Sequence, residues 1–363
     1  MILAHLADLH LGFRAYERTD RGRNVREADV AGAFMRAVGE LVKIRPDVVL
    51  VAGDVFDRPD PPASALVTCA RGLEVLRSAL PETRVLVAGG VRDTPRHPRD
   101  PGVLAALDTL PGVEAAAGPP RSVRVGESTL HVQLLPHRAA LGESAMPEPD
   151  PHARWNVLVT HARAPGGGTG RGLRIDLRAW DYVALGGEHV HRLLLPHVGW
   201  AGSLERVTWS PWNEALEDKG FVTYDLEARR ASFHALPVRA VVSLAPVRVP
   251  AGDPDQLRRR LREVIDEVPG GIEGKIVLVR VQGAAPADLS GLADALLPVL
   301  RERALHLSVS LDDSPRARVV PGPDMELHPR LVELLVEDGV APEEATLRAR
   351  ALLGSAPERA PLA

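Results

Sequence analysis

Residues able to hold a metal ion recur in this sequence at one kind of place, the point where an apolar run stops. Asp8-Leu9-His10 follows the run at 2–7, and Gly53-Asp54-Val55-Phe56-Asp57 follows the run at 48–52. His161 follows 156–160, and Gly186-Gly187-Glu188-His189-Val190-His191 follows 182–185. Residues two apart in an extended segment point to the same side, so Asp8 and His10 can serve one ion. A lone Asp past a strand more often caps the next helix, and a lone His more often has a structural role. Asp8, His10, Asp54, His161 and His189, all at strand C-termini, are much harder to explain separately. Carboxylates mixed with imidazoles suit a catalytic divalent metal of the Mn, Fe or Zn type rather than Mg or Ca.

The hydrophobic pattern supplies the elements that must position these residues. The run at 48–52 is apolar and mostly β-branched, which reads as a strand buried on both faces of a parallel sheet. In open α/β sheets ligands gather at the C-terminal ends of such strands. Helical spacing at 27–44 (Ala31, Phe34, Met35, Val38, Leu41, Val42) and at 64–80 (Leu66, Cys69, Leu73, Leu76, Leu80) predicts two helices packed on that sheet. Further strands are expected at 84–88 and 130–135. The stretch 14–26 is irregular and basic and lies directly beside Asp8 and His10; with Arg96 it supplies the candidate substrate-binding cations Arg14 and Arg26. Past residue 226 the text changes. A strand at 236–249, a helix at 255–268, a strand at 275–282, a helix at 289–300 and a strand at 305–311 predict a small α/β domain of about 80 residues. The division expected is 1–235 for the main domain, 236–318 for the small one, and 319–363 for a linker with a helical tail at 327–353. The glycine-rich stretch Gly166-Gly167-Gly168-Thr169-Gly170 reads as a flexible loop, and it lacks the Lys-Ser/Thr ending of a phosphate-cradling P-loop.

Composition narrows the class. At 363 residues the chain exceeds the usual ~100 to 200 per domain, in keeping with one large unit and a smaller one. Hydrophobic residues make up 45% but aromatics only 4%, so the core must be aliphatic. Cys69 is the single cysteine, which excludes an intramolecular disulfide. With neither a leader pattern nor an apolar run of spanning length, a soluble cytoplasmic protein without membrane contact is expected. The net charge of −4 gives no general attraction to nucleic acid, so DNA would have to meet a local basic face.

These motifs together resemble the calcineurin-like metallophosphoesterases, and among them the SbcD-type DNA-repair exonuclease subunits, over roughly residues 1–226. The family's D-x-H corresponds to Asp8-Leu9-His10, its G-D-x-x-D to Gly53-Asp54-Val55-Phe56-Asp57, and its isolated metal-binding His to His161. The branch motif D-Y-V-A-L-G stands intact at 181–186, followed by Gly202-Ser203-Leu204-Glu205 and by Lys219-Gly220-Phe221. The resemblance implies a four-layer metallophosphoesterase β-sandwich flanked by helices, with a small C-terminal α/β cap domain that orients DNA. It implies two metals ~3.5 to 4 Å apart, bridged by Asp54, holding a hydroxide and polarising a phosphodiester. It also implies DNA and an SbcC-like ATPase, docked on the C-terminal tail, as partners, and it is compatible with a homodimer.

Two family motifs are degenerate. In place of G-N-H-D the chain has Gly90-Val91-Arg92-Asp93, so Val91 replaces a metal-binding Asn and Arg92 replaces the His that approaches the leaving oxygen. An Arg can stabilise phosphate charge, but with a pKa above ~12 it cannot serve as a proton donor. In place of G-H-x-H, an ungapped alignment sets Gly187 at the first His and His189 at the second, whereas two inserted residues would make the pair His189 and His191. On the ungapped alignment Asp8, His10, Asp54 and His189 make one complete site, and the second keeps only Asp54 and His161. One tight metal and one weak metal are therefore expected. The expected activity is that of a metal-dependent phosphodiesterase, most simply a DNA exonuclease. The alternatives are a catalytically impaired relative that binds DNA or a partner, and a phosphoesterase for a small phosphodiester.

Overall fold

The structure, a computed structural model, describes residues 1–311 apart from 96, 98–99, 127–128, 143–146, 163–174, 209–211, 213, 251 and 285–295. Arg96, the Gly166–Gly170 stretch, the first part of the helix expected at 289–300, the 319–324 linker and the 327–353 tail lie outside the described residues.

Two six-stranded sheets face each other. The first runs in the order Arg230–Ala235, Gly220–Asp225, Ile2–Leu6, Val48–Ala52, Arg84–Ala88, Val113–Ala116. Its last four strands are parallel and its first two antiparallel. The second runs Arg192–Leu195, Val198–Trp200, Tyr182–Gly186, Trp155–His161, Leu130–Leu135, Arg121–Val125, with a parallel centre and antiparallel edges. Side chains alternate across a strand. Leu3, Val48, Leu50 and Leu86 thus meet Val132, Val157, Val159 and Tyr182 between the sheets. Val49, Val51 and Val85 face outward instead, onto Phe34, Val38, Leu41 and Leu76 of the helices Val25–Ile44 and Ala63–Ala79. A third apolar layer covers the outer face of the second sheet, around Leu158, Trp180 and Trp200. The result is a β-sandwich of mixed sheets flanked by helices.

The smaller C-terminal α/β region is a separate parallel sheet, with Ile276–Gln282 central, His306–Leu311 on one side, and Val241–Ser243 and Val247–Arg248 on the other. The helices Pro254–Asp266 and Leu297–Arg303 pack on it. The single strand expected at 236–249 is broken in two. Val241 pairs Ile276 and Val247 pairs Val281, six residues of advance against five, so one residue bulges just where Pro246 has no N–H to give the ladder. The first helix begins at Val25, two residues before the expected start, because the Asn24 side chain accepts from Arg26 N at 3.0 Å and Glu27 N at 3.2 Å. Among the described residues no helix is long and apolar enough to cross a membrane.

Candidate metal centre

The loop after the first strand and the loop after Val48–Ala52 are stitched together beyond the sheet proper. Asp8 N donates to Gly53 O (3.0 Å), His10 N to Asp54 O (2.9 Å), Leu11 N to Val55 O (2.9 Å), and Asp57 N returns to Leu11 O (3.1 Å). Asp8, His10 and Asp54 all take left-handed backbone, with φ of 51°, 45° and 50°. Such conformations cost of order 1 kcal/mol or more each for residues with a Cβ, and they concentrate at functional sites. The turn projects all three side chains into the space above the strand ends. Two glycines make that space: a Cβ on Gly53 would lie 2.5 Å from His161 Cδ2, and one on Gly90 would lie 2.2 Å from Asp54 Oδ1.

Five expected ligands converge there. Asp8, His10 and His189 offer ligand atoms all within 4.8 Å of one another, and so do Asp8, Asp54 and His161. Asp8 is thus common to both groups, the part the resemblance had assigned to Asp54. Asp54 is also central, its Oδ2 lying 3.4 Å from His161 Nε2 and 3.7 Å from His10 Nε2. His161 Nε2 stands 3.2 Å from Asp8 Oδ1, and Gly187 N donates to both Asp8 oxygens at 3.1 and 3.0 Å. Burial works to raise the Asp8 and Asp54 carboxyls, but the hydrogen bond from His161 together with the charges of the surrounding imidazoles outweighs it and holds both below the ordinary range. Conversely, burial works against a charged His161, yet its bonds to Asp54 and Asp8 push it well above the usual imidazole value. The two buried acids therefore demand a cation between them, a place a proton on His161 or a metal ion can fill. The donor set fits a divalent ion, since His10 Nε2 is buried without a hydrogen-bond partner while its Nδ1 is fixed by Asp57 Oδ1 at 3.1 Å.

The substituted positions lie around this centre and add no donor to either group. Val91 is 48% exposed, and Arg92 is exposed with its backbone N on Asp54 Oδ1 at 2.7 Å. Asp93 is spent on the loop: its carboxylate accepts from Gly90 N (3.0 Å), Phe56 N (3.1 Å) and Val55 N (3.2 Å). Burial and the neighbouring Asp54 charge raise it to about 6. Gly187 has a φ of 99°, where a side chain is strained, and a Cβ there would crowd the His161 ring at 3.2 Å from Cε1. His191, the alternative ligand, turns aside: its Nδ1 meets Trp200 O at 2.8 Å and its ring stacks on Phe233.

Of the expected substrate-binding cations, Arg14 is largely exposed and paired through Nε with the buried Glu27 carboxylate at 2.6 Å. Arg26 departs from the expectation. It is 1% exposed and meets Asp29 Oδ2 at 2.6 Å, Glu205 Oε1 at 3.1 Å and Arg206 O at 2.6 Å, a buried structural network with no face to offer substrate. Its helical position explains this, because Arg26 stands in the first turn of Val25–Ile44, on the side that packs against the 203–207 loop.

Two charged residues behind the centre carried no site signal in the sequence. Glu214 Oε1 lies 3.0 Å from His189 Nδ1, and its other oxygen pairs with the buried Lys219 ammonium. Glu214 is held below the ordinary carboxylate range: burial opposes this, but His189 and Lys219 prevail. Lys219 was visible only as part of a turn motif.

No family model matches the chain. Among curated proteins it is similar to several that carry the name DNA double-strand break repair protein Mre11. That from Methanococcus maripaludis is 36% identical over 77 residues, covering 21% of this chain and 19% of the relative. That from Aeropyrum pernix is 37% identical over 113 residues, 31% of this chain and 25% of the relative. A longer match, to the Methanopyrus kandleri protein, is 25% identical over 341 residues and covers 84% of this chain and 71% of the relative. The stronger matches thus span about a fifth to a quarter of the length of those relatives. The chain is thus similar, over part of its length, to archaeal proteins of the Mre11 name.

Proposed function

We propose that this chain is a metal-dependent phosphodiesterase that cleaves DNA in the manner of an exonuclease subunit, with one strong and one weakened metal site. The observation that carries this reading is the convergence of Asp8, His10, Asp54, His161 and His189 into two donor groups sharing one buried carboxylate. Mn is the metal proposed, with Fe or Zn as alternatives; when bound, such ions supply an activated water and polarise a phosphoryl oxygen. The chain's own residues do the positioning. Asp57 fixes the His10 ring through Nδ1, and Gly187 N holds both oxygens of Asp8. Arg92 can meet phosphate charge from its exposed place beside Asp54, but the leaving oxygen must take its proton from water or another group. Losing acid catalysis typically costs ~10²- to 10⁴-fold. Docking of the tail on an SbcC-like ATPase belongs to the same proposal.

A second reading, a catalytically impaired relative that binds DNA or a partner protein, is favoured by the exposure of Val91 and Arg92, which bring no donor to the centre. Assaying Mn-dependent cleavage of linear duplex DNA separates the two. The proposed reading expects weak cleavage abolished by Asp54→Asn and raised by Val91→Asn combined with Arg92→His. DNA binding without cleavage in every variant would establish the second reading instead. Cleavage of bis(p-nitrophenyl) phosphate but not DNA would point to a small phosphodiester.

A further inference from the structure

The Lys219 ammonium is buried and all three of its N–H bonds are committed: to Glu214 Oε2, to His189 O at 2.8 Å and to Ser203 Oγ at 3.2 Å. Glu214, also buried, gives its other oxygen to His189 Nδ1 at 3.0 Å. One ammonium therefore grips His189 at both ends, directly at the backbone carbonyl and through Glu214 at the ring. Ser203 N adds a bond to the same His189 carbonyl at 3.0 Å. With Nδ1 engaged by a carboxylate, only Nε2 is left to face Asp8 and His10, whose ring lies edge-on to that of His189 at 5.0 Å. A buried pair of opposite charges is seldom retained for stability alone, because desolvation offsets most of its attraction.

The segment that carries Glu214 is in turn seated by the C-terminal α/β region. Ala215 packs on Ile276, Leu278 and Leu305, and the Arg280 guanidinium lies over the Trp212 ring at 4.6 Å. Arg206 fastens the same turn from below, donating to Glu214 O at 2.8 Å, Ala215 O at 3.2 Å and Glu217 O at 3.1 Å.

We infer that Glu214, locked by Lys219, is the positioning residue of the metal centre: it orients His189 so that Nε2 is presented to an ion shared with Asp8 and His10. The inference rests on the reading of His189 as a metal ligand under the proposed function. Removing an outer partner of a metal-bound His typically lowers metal affinity ~10- to 100-fold. Any neutral residue at 214 would strand the Lys219 charge, so Lys219→Met is the background of both variants: with Glu214→Leu it makes the loss variant, the double variant below, and with Glu214→Gln the conservative variant, whose amide oxygen is then free to accept from Nδ1.

The test is carried out on the full chain by titrating Mn²⁺ and following free Mn²⁺ by electron paramagnetic resonance. Long-range ¹H–¹⁵N spectra of the metal-free protein report which His189 nitrogen carries the proton. The expected result is a first-ion affinity ~10- to 100-fold weaker in the folded double variant, with a proton shifted from Nδ1 toward Nε2, and recovery of most of the affinity in the conservative variant. Wild-type Mn²⁺ affinity or an unchanged His189 protonation pattern in the folded double variant would overturn the inference. So would equal losses in the double variant and the conservative variant. Should the double variant not fold, the conservative variant decides: a retained Nδ1 proton with near wild-type affinity supports positioning, and a lost one overturns it. If the wild-type chain binds no Mn²⁺ while its His189 shows the Nδ1 proton on Glu214, the metal-site reading fails and the inference fails with it, for a reason separate from the geometry of Glu214.

Discussion

Gly53→Ala is a small change with a calculable effect on one of the two donor groups. Gly53 has a φ of 86°, where a residue with a Cβ is disfavoured by about 1 to 2 kcal/mol. The new methyl would also lie 2.5 Å from His161 Cδ2 and 2.7 Å from both Cβ and Cγ. Carbon atoms in good contact sit about 3.5 to 4.0 Å apart, so the imidazole has to retreat by roughly 1 Å. Its Nε2 now lies 3.2 Å from Asp8 and 3.4 Å from Asp54, and a retreat of that size takes it out of hydrogen-bond range of both. Losing a buried charge-assisted bond adds about 1.5 to 3 kcal/mol, so a total of about 2 to 4 kcal/mol is expected once some relaxation is allowed. Urea unfolding of the metal-free protein measures this loss. In a Mn²⁺ titration the first ion should be less affected, because the nearest atoms to the new methyl all belong to His161, which is outside the Asp8, His10 and His189 group, whereas the weaker ion should lose at least about tenfold in affinity. Wild-type stability together with unchanged binding of both ions would refute the reasoning, since it would mean that His161 has room the structure denies it.

Three further outcomes follow from other parts of the molecule. Asp93→Asn removes one of the acceptors serving Gly90, Val55 and Phe56 and should destabilise the fold by about 1 to 3 kcal/mol in chemical denaturation. His5 lies between the sheets, bonded to Tyr182 Oη at 2.9 Å, and burial lowers it from 6.5 to about 3. The unfolded chain then takes up a proton near pH 6.5 that the folded chain refuses until about pH 3. This contribution to stability is present above pH 6.5 and lost on acidification, by up to about 5 kcal/mol at pH 3, and a His5→Gln variant should show a shallower decline than wild type in urea midpoints between pH 7 and 4. Arg26→Met breaks the ion network among Asp29, Glu205 and Arg206 O and should cost about 3 to 5 kcal/mol in unfolding, with Mn²⁺ binding per folded molecule maintained.

What was legible in the sequence follows a physical rule. Val48–Ala52 and Trp155–His161 are buried along nearly all their length, so their apolar runs are continuous and the polar residue that ends each stands out. The candidate ligands Asp8, Asp54 and His161 were visible for that reason. Edge strands such as Arg121–Val125 and Arg230–Ala235 alternate between partial burial and solvent, and their mixed text hid them. Arg14 and Arg26 look alike as letters in a basic stretch, yet one is largely exposed and the other fills a buried network, a difference set by where the first helix turn packs. Glu214 was invisible because its partner His189 lies 25 residues away and no strand leads up to it, so only the folded loop brings the two together.

The measurement that bears most directly on a metal centre built around a shared Asp8 is a Mn²⁺ titration of the metal-free chain beside its Asp8→Asn variant. Asp8 belongs to both donor groups. One tightly held ion and a second, weaker one are expected in the wild type, with both lost in a folded Asp8→Asn protein. Wild-type Mn²⁺ binding that survives Asp8→Asn, or the absence of any bound ion in the wild type, would contradict that expectation.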